Sequence, residues 1–195
     1  MTRSDQGFSL PEMLVSLALL GVAAGIGFYT VNTGSWRASA AASELSQRLE
    51  YARTRAVLDG HNYVVTFSSA ANTYTIVKDI NNDGDHDPGI GETQNSYTLS
   101  TSGSGVGFDY LATADGLDGA AMSSAVTFAG SPPKLTFTRL GTSNTGTIYL
   151  IPAEDHRDSY PGHMRAITVA GATARIRRWE YHAASASPGP WRLDQ

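Results

Sequence analysis

A chain of 195 residues with 41% hydrophobic content and a net charge of -4 can hold one membrane helix and one globular domain, but is too acidic for a general nucleic-acid binder. Any contact with nucleic acid must therefore be local. The absence of cysteine excludes disulfides and thiolate metal sites.

The first element follows Gly7-Phe8-Ser9-Leu10-Pro11-Glu12 and runs apolar through Met13, Leu14, Val15, Leu17, Leu19, Leu20, Val22, Ile26 and Phe28. From residue 8 to residue 31 is 24 residues. As an α-helix they rise about 36 Å, enough to cross a hydrocarbon core of about 30 Å. Glu12 is the only formal charge in that run. An acid held in lipid costs about 2.5 to 3.5 kcal/mol, so it needs a shallow position or a partner. Pro11 falls in the first helical turn, where its missing N–H has no intrahelical acceptor anyway. Gly21 and Gly25 stand four apart, which lets helices approach closely and also marks where this one could bend.

These residues resemble the N-terminal signal of type IV prepilins and pseudopilins: a short leader ending in Gly, then Phe, an acid at the fifth mature position and an apolar run. The resemblance implies that a prepilin peptidase cuts after Gly7 and methylates the amine of Phe8. It also implies that Glu12 pairs with the amine of a neighbouring subunit during assembly. Two other readings compete. An ordinary secretory signal could use Val22-Ala23-Ala24 as its cleavage site, but residues 1–7 carry one Arg and one Asp, and apolar residues continue past Ala24. A plain anchor explains the span but not the Gly-Phe start. Removing the leader leaves the charge unchanged, because Arg3 and Asp5 leave together. The missing cysteines remove the C-terminal disulfide of many major pilins, which favours a pseudopilin or minor pilin.

From Trp36 to Asp59 the pattern turns amphipathic. Ala38, Ala42, Leu45, Leu49, Ala52 and Ala56 fall at helical spacing, and Glu44 with Arg48 has the favourable i, i+4 order. One helix is expected from Phe8 to Asp59, capped by Gly60. After His61 the period becomes two, with strands expected at 63–67, 74–80, 107–111, 125–128, 135–140, 147–151, 165–169 and 175–181. Such spacing means an antiparallel β-domain. The Gly-, Ser- and Ala-rich stretch 100–124 reads as a mobile loop. The expected organisation is a leader at 1–7, a transmembrane part at 8–31, its amphipathic continuation at 32–60, a periplasmic β-domain at 61–182 and a flexible tail at 183–195.

The long helix, the strand pair leading into an Asp- and Asn-rich turn, Gly146-Thr147-Ile148-Tyr149-Leu150 and Arg175-Ile176-Arg177 resemble the GspH/FimT family of minor pseudopilins and minor type IV pilins. The implied fold is α+β: an N-terminal helix, membrane-spanning in its first half, packed on a two-sheet antiparallel domain. The implied function is a structural subunit of a pilus-like filament, foremost in type II secretion. It would be a single-pass protein of the bacterial inner membrane with its C-terminal domain in the periplasm. Its partners would be other pilins and the inner-membrane assembly platform.

Two further stretches suggest chemistry. Asp79, Asn81, Asp83 and Asp85 form the D-x-N-x-D-G opening of a calcium loop, but the closing position holds Ile90 and the next acid is Glu92. The alternative is a polar turn, and Ca2+ is the one cofactor the sequence suggests. On strand 175–181, Arg175, Arg177, Trp179 and Tyr181 share a face, where cations could hold phosphates and aromatics could stack on bases. Some minor pilins of this family bind DNA through Gly-Arg-x-Arg; here Ala174 replaces the Gly. The alternative is a charged edge strand that resists aggregation.

No catalytic constellation is organised. His61, His86, His156, His163 and His182 form no H-E-x-x-H pair, and no G-x-S-x-G elbow or P-loop occurs. Asp155-His156 with Asp158 reads as a solvated loop. An anchored exported enzyme is the weakest of the three functional readings.

Overall fold

The computed structural model describes residues 10–29, 33–99, 105–183 and 189–194, with side chains in the first helix from Leu10 to Gly21. The chain divides into two compact units, Met1–Thr33 and Gly34–Gln195. In the first, α1 covers Leu10–Tyr29. Leu10, Met13, Leu14, Val15, Leu17, Leu19 and Leu20 are all exposed on it. Among the described residues no helix is long and apolar enough to cross a membrane. The expected single helix is recorded as α1 and α2, with 30–32 outside the described residues.

In the second unit α2 covers Thr33–Asp59. Its expected apolar face is the buried one: Ala38, Ala42, Leu45, Leu49, Ala52 and Ala56, joined by Ala41. Five of these seven are alanines, so the helix can lie close to the sheets beneath it. Gly60 follows at φ 70, a left-handed conformation that ends the helix.

The strands are β1 Asn62–Ser68, β2 Thr73–Asp79, β3 Gln94–Thr98, β4 Val106–Gly107, β5 Lys134–Phe137, β6 Gly146–Pro152, β7 Arg165–Ala170, β8 Arg175–Tyr181 and β9 Trp191–Leu193, with the short helix α3 at Ala153–Asp158. They form two antiparallel sheets, ordered β3-β2-β1-β5 and β4-β6-β7-β8-β9. Alternation along each strand then assigns faces. The inner faces supply Val65, Phe67, Tyr74 and Ile76 from the first sheet and Ile148, Leu150, Ile167 and Val169 from the second, and these share one core with α2. Phe67 stacks on Phe128 at 5.8 Å between ring centroids. At Gly146 even a Cβ would come within 2.4 Å of the Phe128 ring, so that approach requires glycine.

The outer face of the second sheet carries another core, in which Tyr149, Ile151, Ala166 and Tyr181 meet Leu111, Ala114, Met122 and Trp191. This corrects two expectations. The described part of the presumed mobile loop, 105–124, is packed: Val106 and Phe108 join the main core, and Leu111, Ala114 and Met122 cover the outer face. The presumed flexible tail contains β9, which pairs with β8 from Trp179↔Leu193 to Tyr181↔Trp191. Trp191 is buried edge-on against Tyr181 at 5.1 Å and donates its indole N–H to the Asp115 carbonyl at 2.9 Å. Burying an indole stabilises by up to about 3 kcal/mol, which holds a short strand in a Pro- and Gly-rich tail. The strand expected at 107–111 is reduced to β4, and 125–128 contributes only the bridge Val126↔Ile148.

Candidate functional site

Gly7 and Phe8, the expected processing pair, lie outside the described residues. Glu12 is exposed in the first turn of α1. There the positive end of the helix dipole favours a carboxylate, by about 0.3 to 1 kcal/mol at an exposed position.

The proposed calcium loop is closed by its own backbone. Asp79 is fully buried at the end of β2 and accepts the N–H of Gly84 at 2.9 Å and of Asp83 at 3.2 Å. Glu92 accepts the N–H of Asp87 at 2.6 Å and of Ile80 at 2.8 Å. Asp83 accepts the N–H of Asp85 at 2.9 Å, Asn81 bridges Asp83 and Asp87 through its amide, and Asp85 pairs with Lys134. Each of these carboxylates thus already accepts at least one donor, from the loop itself or, for Asp85, from Lys134 on β5. Among the described residues no group of three or more His, Cys, Asp or Glu could hold a metal ion.

The backbone N–H of Asp87 chiefly, with those of Ile80 and Asn81, holds the Glu92 carboxyl below its ordinary range, and the Asp85 N–H does the same for Asp83. Both folded values are depressed. Their stabilisation is thus complete above the ordinary carboxylate range near pH 4 and is lost as pH falls through the folded values. Asp79→Ala would leave two loop N–H groups without their acceptor and is expected to cost about 2 to 4 kcal/mol. A melting curve with and without millimolar calcium separates the two readings of the loop. The hydrogen-bonded turn predicts no shift, whereas a cation site predicts a rise that Asp79→Ala with Asp83→Ala removes.

On β8 the alternation places Arg175, Arg177, Trp179 and Tyr181 on the outer face, as expected. Only the two arginines are exposed. Tyr181 belongs to the outer core, and Trp179 packs against that core while donating its indole N–H to Thr168 Oγ1 at 3.0 Å. Of the expected pair of stacking aromatics, Tyr181 is covered by the fold, while Trp179 is partly buried. Ala174 precedes the arginines at φ 47 and is buried. The turn therefore keeps the left-handed conformation that a glycine would take, at a cost for alanine of about 1 to 2 kcal/mol.

The residue that sequence reasoning missed is Arg165. It opens β7, is 1% exposed and reaches from the inner face of the second sheet to α2. Its guanidinium donates to Ser35 Oγ at 2.8 Å, Ser39 Oγ at 3.1 Å and the Met164 carbonyl at 3.0 Å, and it pairs with Glu180 at 2.7 Å. Burial pushes the Arg165 pKa down, while Glu180 and Asp194 oppose the shift. A neighbouring pair joins the same end of α2. His163 Nδ1 lies 2.7 Å from Asp155 Oδ2, and a Cβ at Gly34 would stand 3.0 Å from that nitrogen. Asp155 is buried in α3 rather than solvated as expected, and burial lifts its pKa against the His163 hydrogen bond. Arg37 pairs with Glu154 at 3.1 Å. These contacts fix α2 to the β-body.

Comparison with known proteins then decides the family. Residues 41–173, from α2 through the turn before β8, match the family model described as type II transport protein GspH. The chain belongs to the GspH family. Residues 2–28 match the prokaryotic N-terminal methylation motif. Among solved structures this GspH-family chain is similar to the minor pseudopilin EpsH from the type 2 secretion system of Vibrio cholerae, at 17% identity and a TM-score of 0.43, over 81% of this chain and 96% of that one. It is also similar to the type IV minor pilin FimU of Pseudomonas aeruginosa, at 16% identity and a TM-score of 0.43, over 78% of this chain and 93% of that one. No curated protein matches the chain.

Proposed function

We propose that this GspH-family chain is a structural minor pseudopilin that enters a pilus-like filament of type II secretion through its N-terminal helix, and that it acts by assembly rather than turnover. The observation that carries this reading is the joining, in one chain, of the methylation motif at 2–28 to the GspH match at 41–173. A prepilin peptidase would cut after Gly7 and methylate Phe8. The apolar helix would then sit in the inner membrane, with the β-body in the periplasm, until the assembly platform draws it into the filament. The seven exposed apolar side chains of α1 support that sequence of environments. Left in water they would forgo about 1.5 to 3 kcal/mol each, which lipid or packed neighbouring helices recover.

A second reading, a minor type IV pilin that binds DNA for uptake, is favoured by one observation. Arg175 and Arg177 are exposed and carry no ion pair among the described residues. On an acidic chain with Tyr181 covered, such binding would rest chiefly on phosphate contacts. Each phosphate neutralised on duplex DNA contributes about 0.9 to the slope of log affinity against log salt. Under this reading Arg175→Ala with Arg177→Ala flattens that slope by about 1.8 and lowers transformation. A deletion strain assayed side by side for exoprotein secretion, twitching and transformation tests both. The secretion reading predicts loss of exoprotein export with transformation intact, and the reverse pattern would replace it with the uptake reading.

A further inference from the structure

The exposed aromatic side chains among the described residues are Trp36, Tyr51 and Tyr160. Tyr51 is covered by the Arg55 guanidinium, which lies 5.5 Å from its ring centre and donates to its hydroxyl at 3.2 Å. The other two stand together at the end of the second unit where α2 begins. Trp36 lies in the first turn of α2 and is 74% exposed. Helical side chains lean toward the helix N-terminus, so its ring leans toward the start of α2. Tyr160, half-exposed, stands between α3 and the helical turn Pro161–His163. Its ring lies over Gly162, where a Cβ would come within 2.3 Å of the hydroxyl, and it meets the His163 ring edge-on at 5.0 Å. His163 in turn faces Gly34, and so does Glu154, whose Oε1 would stand 3.4 Å from a Cβ there. Gly34 and Trp36 are about 200° apart around the helix. The two rings therefore flank α2 on opposite sides.

The apolar run ends at Val31, three residues before Gly34. Three residues span at most about 11 Å even when fully extended. The headgroup layer on each side of a bilayer is about 5 to 8 Å thick. A chain held in a membrane through that run therefore brings Gly34, and the two rings beside it, to the level of the headgroups or just above it, for any conformation of the intervening residues. The charges at this end are matched: Arg37 pairs with Glu154 at 3.1 Å, His163 with Asp155 at 2.7 Å and Arg157 with Asp158 at 3.6 Å. An attraction to lipid here rests on the rings rather than on anionic headgroups.

We infer that this end of the β-body docks on the surface of a lipid bilayer, with Trp36 and Tyr160 seated at headgroup level on either side of α2. Trp and Tyr are favoured at that depth because the apolar part of the ring faces acyl carbon while the N–H or O–H stays in water. The inference rests on the membrane-inserted state proposed above and adds to it. The body is held against the bilayer by its own surface, so entry into a filament must break this contact as well as withdraw the apolar helix from lipid.

The test uses the full chain reconstituted into vesicles. The chain has no native cysteine, so single spin labels can be placed at Leu17→Cys in α1, at Asp158→Cys beside Tyr160 and at Leu140→Cys, all exposed positions. Leu140 serves as the distant reference: its neighbour Gly141 faces Val57, which lies 23 residues along α2 from Gly34, a rise of about 35 Å. The Asp158 label is expected to be shielded from a water-soluble paramagnetic relaxant and the Leu140 label to be fully accessible, in phosphatidylcholine and phosphatidylglycerol vesicles alike. Trp36→Ser with Tyr160→Ser is expected to abolish that shielding, and Trp36→Ser alone, at an exposed side chain, to lose part of it. A Leu17 label in water would remove the membrane reading and this proposal with it. A Leu17 label in lipid beside an Asp158 label as accessible as the Leu140 one would overturn the docking alone. So would shielding confined to phosphatidylglycerol, which would assign the contact to charge, or shielding that survives loss of both rings. Shielding that grows with the protein-to-lipid ratio would assign this end to a second copy and overturn the proposal as well.

Discussion

Arg165→Ala is expected to lower the stability of the β-body by about 3 to 5 kcal/mol, because it removes a large, fully buried side chain together with its hydrogen bonds and its ion pair to Glu180. The same change strips Ser35 and Ser39 of their donor and opens a cavity where the largest fully buried side chain had been. Against a typical total of about 5 to 15 kcal/mol, this is a large fraction. For a domain of this size it corresponds to a fall of roughly 6 to 20 °C in the melting temperature. Arg165→Met should lose less, since it refills most of the volume and Glu180, about a third exposed, can turn to water. Thermal melts of the two variants followed by circular dichroism check this ordering. Equal stability of Arg165→Ala and the wild type would mean that α2 is held by its alanine face alone.

Glu12→Ala should separate membrane insertion from assembly. Removing the acid from an apolar helix relieves a cost of about 2.5 to 3.5 kcal/mol, so the variant should reach the membrane fraction at least as well as the wild type. If Glu12 pairs with the amine of a neighbour, the variant should nonetheless fail to cross-link to, or co-purify with, other pilin subunits. Recovery of assembly by Glu12→Asp but not by Glu12→Gln would identify the charge as the requirement. Normal co-purification of Glu12→Ala would reduce the residue to an incidental interfacial acid.

What could be read from the sequence follows the reach of each interaction. The α2 face was legible because alanine and leucine recur every three or four residues, and most strands were legible because Val, Ile, Phe and Tyr alternate with polar residues. Arg165 was not, since Ser35 and Ser39 lie 130 and 126 residues away and nothing near the arginine marks it as buried. Nor was β9, because three residues give no period and Trp191 acquires its place only from Tyr181 and Asp115. The face of β8 was assigned correctly, and so was the exposure of Arg175 and Arg177, but the covering of Tyr181 was not. Alternation says which residues share a side, but the cover over Tyr181 comes from Leu111, Ala114 and Met122, in a stretch whose composition resembles a loop. In the acidic turn a cation-ligand spacing and a set of carboxylates that accept backbone N–H groups use the same residues, so the sequence does not tell them apart.

Processing as a pilin-like subunit is the step on which membrane insertion and assembly both depend, and the mass of the mature N-terminus tests it most directly. Mass spectrometry of the protein purified from membranes should show a chain that begins at Phe8 with one added methyl group, and Gly7→Glu should leave the precursor uncut. A mature chain that begins near Ala24, or a wild-type chain that keeps residues 1–7, would contradict processing as a pilin-like subunit.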